Sequence, residues 1–234
     1  MIGLLKMNPN RFDALFDKGS ALKRFEKNEE GEEYVEKTPE INLDNFEALY
    51  NVGVALEESG KIEEAVECYD KLLEFSPNHM NTLFNLGVAL SKLENNEKAV
   101  ECYDKLLESD PNHANTLFNK GVALGRLGRY EEAMIYYDKA LEINPNHANT
   151  LSNKGVGLAK LGRLEEAMVY FDKALEINPN HANTLSNKGV VFSFLEKFED
   201  AVFYFEKALK IDPKDFKIIN NKNLAQTKMN QKKS

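Results

Sequence analysis

The chain has 234 residues, 42% of them hydrophobic, and a formal charge of −8. That length and apolar content suffice for a substantial buried core, while the acidic balance argues against a nucleic-acid partner, since phosphate binding needs a basic surface. Plentiful Ala, Leu, Glu and Lys, with no alternating β-branched runs, indicate an all-α protein.

Proline recurs at Pro77, Pro111, Pro145, Pro179 and Pro213, always 34 residues apart, with similar text around each. A fixed period of this length with a helix–turn–helix pattern is the signature of a solenoid. Taken in order, the N-terminal Ile2 to Leu5 is too short for a signal peptide. Residues 1–11 hold LLKMNPN, which resembles the end of a preceding repeat (compare ALEINPN). Residues 12–45 form a degenerate repeat: Leu15, Gly19, Ala21 and Leu22 keep the frame of a first helix. Its partner is damaged by Gly31 and Pro39.

Five full repeats follow, at 46–79, 80–113, 114–147, 148–181 and 182–215. In the third, Leu117, Gly121, Leu124 and Leu127 mark one stripe of a first helix. Gly128 takes the left-handed conformation that ends it. Tyr130, Ala133, Met134, Tyr137, Ala140 and Leu141 stripe a second helix. Pro145 stops that helix, and Asn146 is the expected cap of the next. Glycine costs a helix up to about 1 kcal/mol, so its return at Gly53, Gly87, Gly121, Gly155 and Gly189 needs a steric reason. Facing it are Ala65, Ala99, Ala133, Ala167 and Ala201, with Tyr69, Tyr103, Tyr137, Phe171 and Phe205 wedged between helices. Residues 216–229 read as a capping helix with a lysine-rich, acid-free character, and 230–234 as a disordered tail.

The pattern of Leu, Gly, Leu, Ala, Tyr or Phe, Ala and Pro at these offsets resembles the tetratricopeptide repeat. That resemblance implies an all-α, right-handed superhelical solenoid of antiparallel helix pairs that binds proteins and is not an enzyme. The family pattern usually has leucine at the seventh position, but Lys120, Lys154 and Lys188 occupy it here. Their stems are expected along apolar surface with the amines in water.

Candidates for chemistry are few. His79, His113, His147 and His181 occupy one turn position and are too far apart to share a metal. No nucleophile elbow, phosphate loop or CxxC occurs, and no cofactor is expected. Cys68 and Cys102 read as reduced structural thiols, which places the chain in the cytoplasm. No run of about 20 apolar residues suggests a membrane span.

The asparagines stand out. First helices carry them at positions two and six: Asn81 and Asn85, Asn115 and Asn119, Asn149 and Asn153, Asn183 and Asn187, with Asn51 alone in the first repeat. Positions four apart share a helical face, and asparagine is a poor interior helix residue. An amide matches a peptide's own C=O and N–H. In tetratricopeptide arrays this face lines the concave groove, and the arrangement resembles the asparagine ladder in the repeat arm of the O-GlcNAc transferases, which grips extended peptides. Copying by duplication, or bracing between helices, is the competing explanation. Tyr50, Phe84 and Phe118 at position five (after Phe16) give way to Ser152 and Ser186, and valine fills position nine, including Val88 and Val122. The groove should therefore be more apolar toward its N-terminal half, unless the rings sit in repeat junctions. The family's carboxylate clamp needs lysine at position two, and only Lys217 with Asn221 fits. The expected role is a scaffold for a protein or peptide partner. A recruiting arm of a larger enzyme, or self-association through the C-terminal helix or tail, are the alternatives.

Overall fold

The computed structural model describes residues 43–233. The expectations for residues 1–11, and for the degenerate repeat up to residue 42 with Phe16, lie outside the described residues. The chain divides into two compact units, Met1–Pro111 and Asn112–Ser234. Unit 1 holds helices α1 (Leu43–Glu58), α2 (Ile62–Phe75), α3 (Met80–Lys92) and α4 (Asn96–Ser109). Unit 2 holds α5 (Ala114–Arg126), α6 (Tyr130–Ile143), α7 (Ala148–Lys160) and α8 (Leu164–Ile177). Its array ends in α9 (Ala182–Phe194), α10 (Phe198–Ile211) and α11 (Phe216–Lys233). No strand occurs among the described residues. The fold is an all-α repeat solenoid in which odd-numbered helices are first helices and even-numbered ones are second helices.

Steric fit explains the glycines. A Cβ on Gly121 would lie 2.5 Å from the Tyr137 ring, one on Gly155 2.6 Å from Phe171, and one on Gly189 2.8 Å from Phe205. Each first helix therefore lacks a side chain where the ring of its own second helix seats. That ring, rather than the alanine expected to face the glycine, is its closest neighbour. Tyr69, Tyr103, Phe171 and Phe205 are among the largest fully buried side chains.

The turn between the two helices follows a Schellman pattern. Gly128, at φ +77°, donates its N–H to the Gly125 carbonyl at 3.1 Å, and Arg129 donates to Leu124 at 2.9 Å. Glu94 (φ 61°) and Glu196 (φ 56°) occupy the same turn position without glycine's freedom.

The helix cap differs from expectation. The residue capping α3 and α5 is the histidine that ends the preceding repeat, not the asparagine before it. Nδ1 of His79 accepts from the Thr82 N–H, and Nδ1 of His113 from the Thr116 N–H, both at 3.3 Å. The threonine hydroxyls approach the same nitrogens at 2.8 and 2.7 Å. His147 and His181 keep the hydroxyl contacts, to Thr150 and Thr184. Asp215 takes the histidine's place before α11, accepting from the Ile218 N–H at 3.0 Å.

The last helix closes the stack. Ile218 and Ala225 are buried in a cluster with Leu185, Phe205 and Ala208. α11 continues to Lys233, so residues 230–233 are helical rather than the disordered tail expected there.

Candidate binding face

The first helices of unit 2 touch in series, α5 with α7, α7 with α9 and α9 with α11, while the second helices do not approach one another to that extent. The first helices thus pack in direct succession along this stack. On α5 the buried residues are Thr116, Leu117, Lys120, Gly121, Ala123 and Leu124. The remaining face reads Asn115, Asn119, Val122 and Arg126, at steps of four, three and four, and is repeated as Asn149, Asn153, Val156 and Lys160 on α7.

Along this face the amides sit at two depths. Asn115, Asn149 and Asn183 are exposed, while Asn119, Asn153 and Asn187 are half-buried. Among the described residues, the side chains of Asn119, Asn153 and Asn187 form no hydrogen bond. In unit 1 the position differs. Asn81 is exposed and Asn51 half-buried, and Asn85 donates to the Tyr50 hydroxyl at 2.9 Å. That amide braces one repeat against the next.

The aromatics occupy junctions. The Tyr50 ring centroid lies 6.0 Å from His79, and the Phe118 centroid lies 5.2 Å from His147 in an edge-on contact. Both rings, like Phe84, are half-buried, as are Val88 and Val122. Where Phe gives way to Ser152, a hydroxyl contact replaces the ring: Thr184 donates to Ser152 at 2.7 Å.

The seventh-position lysines overturn an expectation. Their amines are not in water: Lys120, Lys154 and Lys188 are buried. Lys120 donates to the Tyr136 hydroxyl at 2.7 Å and lies 3.9 Å from its ring centroid. Lys154 bonds Asp138 of the preceding repeat and the Tyr170 hydroxyl, and Lys188 bonds Asp172. Burial alone would lower the Lys154 pKa, but the hydrogen bonds to Asp138 and Tyr170 outweigh it and hold the amine above its usual range. In α11, Lys222 repeats the pairing with Glu206 at 2.8 Å. The bonds to Asp138, Asp172 and Glu206 tie a first helix to the second helix of the repeat before it, while those to Tyr136 and Tyr170 stay within one repeat. Lys154 and Lys188 floor open clefts on the second-helix side, the one beside Lys154 and Tyr170 of about 440 Å³. The lysine, aspartate and tyrosine groups at the floor already pair with one another.

Two buried thiols complete the inventory. Burial pushes Cys68 up to about 12 and Cys102 to about 11, which leaves both protonated and unreactive at neutral pH. No cluster of metal-ligating side chains occurs among the described residues, and no helix there is long and apolar enough to cross a membrane.

Two tetratricopeptide-repeat family models match the chain, one over residues 84–148 and one over 44–110 and 146–214. The chain belongs to the tetratricopeptide-repeat family. No curated protein sequence matches it significantly. Among solved structures, MamA from Desulfovibrio magneticus is similar at 21% identity, TM-score 0.66, covering 74% of this chain and 98% of that one. TTC0263 of Thermus thermophilus, a thermophilic repeat protein, gives 21% identity and TM-score 0.65 over 78% and 99%. YrrB, described as a repeat protein with an unusual peptide-binding site, gives 25% identity and TM-score 0.61 over 82% and 97%. The tetratricopeptide fold is that of a protein–protein interaction scaffold, and its partners are proteins.

Proposed function

We propose that the first-helix face of unit 2 binds an extended segment of a protein partner, with asparagine amides pairing to its backbone. The observation that carries this reading is the set of half-buried Asn119, Asn153 and Asn187 amides without hydrogen bonds. An amide that no protein group engages and that water still reaches keeps its donor and acceptor available, so a ligand backbone can take them at little cost to the fold. Neighbouring helices lie roughly 8–10 Å apart and an extended chain advances about 3.3 Å per residue, so one rung serves about three ligand residues. Backbone pairing of this kind tolerates many sequences. Binding without chemistry accords with inert thiols and with lysines held in internal pairs. Two free cysteines suit a reducing compartment, which supports a cytoplasmic location.

The test is a selection of displayed 12-residue peptides on the immobilised chain, followed by affinity measurement on Asn153→Ala/Asn187→Ala. Two lost hydrogen bonds of about 0.5–1.5 kcal/mol each should weaken the selected peptides roughly tenfold or more. Thermal unfolding should stay near that of the parent, because neither amide braces the fold. Unchanged affinity removes the ladder from the site.

A further inference from the structure

The net charge of −8 conceals two oppositely charged layers in unit 2. The first helices α5, α7, α9 and α11 contain ten lysines and arginines and no acid. The second helices α6, α8 and α10 contain eleven acids against four lysines. Several of the first-helix cations face inward to the acids, as Lys154, Lys188 and Lys222 do. Others stay on the open face beside the asparagines: Arg126, Lys160, Lys217 and Lys228 are all exposed. Lys160 and Lys217 form no ion pair among the described residues.

Helix electrostatics account for part of this and fail for the rest. A cation in the last turn complements the helix dipole, which suffices for Arg126 and Lys160. Lys217 stands in the first turn of α11, where the dipole disfavours it. Acids are favoured in first turns, and the second helices place them there, at Glu131 with Glu132 and at Glu165 with Glu166. No first helix from α5 onward does so. Acids are therefore missing from the first turns of these helices, where the dipole would favour them and the asparagines stand.

We infer that the segment bound on this face is acidic, with carboxylates directed at Lys160 and Lys217 and apolar residues between them. The apolar component is set by Val122, Val156, Val190 and Leu224, which run between the asparagines and the cations, and by Phe194, 73% exposed at the edge. This inference rests on the proposed peptide-binding role and names the partner's chemistry. Opposite potentials would also speed association and exclude basic segments, whose approach costs like-charge repulsion.

The experiment uses the full chain and three labelled 12-residue peptides. All share valines in a Gly/Ser background and differ only in carrying Glu, Gln or Lys at every third position. The Glu peptide should bind at least about tenfold more tightly than the Gln peptide at low salt, an advantage that shrinks near 0.5 M salt as screening sets in. Lys160→Glu/Lys217→Glu should reverse the order in favour of the Lys peptide, while Asn153→Ala/Asn187→Ala should weaken all binding peptides alike. Equal binding of the Glu and Gln peptides, or tighter binding of the Lys peptide to the parent chain, overturns the charge inference. The asparagine reading survives that result if its variant still weakens binding. Lysine-sensitive but asparagine-insensitive binding overturns the ladder and keeps the acidic partner. Binding of none of the three overturns both.

Discussion

Asn96 sits where the other repeats place Ile62, Tyr130, Leu164 and Phe198. It is only 7% exposed, and its Oδ1 has no hydrogen-bond partner, although Nδ2 reaches the Glu94 carbonyl at 3.2 Å. A buried unpaired acceptor carries its desolvation cost without return. Asn96→Leu should therefore raise stability by about 1–2 kcal/mol, read as a higher denaturation midpoint with an unchanged slope. A loss of stability would mean that the site cannot hold a branched chain beside the Glu94 turn.

Between elements, the linking device is the buried lysine, and the chain holds two versions of it. Repeats three to five combine Lys120, Lys154 and Lys188 with Tyr136, Tyr170 and Tyr204 at position 23. The first two repeats combine Val52 and Leu86 with Cys68 and Cys102. Lysine accompanies tyrosine, and an aliphatic residue accompanies cysteine. Lys154→Leu alone should cost about 1–2 kcal/mol by removing the bonds that tie this helix to Asp138 and Tyr170. Lys154→Leu/Tyr170→Cys should cost less than the two single changes added together, a coupling that denaturant titration of the four proteins measures. This correlation was present in the sequence, but position seven taken alone suggests only a snorkelling surface lysine. That the repeated glycine marks a close approach was more legible, because a mid-helix glycine at fixed spacing has a narrow steric meaning, although the ring and not the expected alanine fills that space. The histidine caps were not, since asparagine is the better general cap. What selects histidine is Thr82 or Thr116 three residues on, whose N–H and hydroxyl both meet the imidazole. The free amides of Asn119, Asn153 and Asn187 could not be told from the braced Asn85 without coordinates, because bracing depends on Tyr50 in the preceding repeat.

Across the whole molecule these local devices respond to pH in two separate ranges. Burial holds the His181 pKa below its usual value. As pH falls through about 6.5 the unfolded histidine takes its proton first. Stability is thus fully present above that pH and declines until the folded His181 also titrates, below which the slope vanishes. Hydrogen bonds from Arg129, Arg163, Lys232 and Lys222 lower the carboxyls of Glu132, Glu166, Glu196 and Glu206. Their contribution is present above the ordinary carboxylate range and disappears as pH drops below about 4.5. All four are exposed, so this second decline should be shallow and should flatten further in high salt. Thermal midpoints recorded from pH 8 to pH 3.5 should show both declines. His181→Asn places a polar side chain that does not titrate before this helix, so it should remove part of the decline beginning near pH 6.5 and leave the lower one intact. An identical curve for parent and variant would show that protonation at this junction does not govern the upper range.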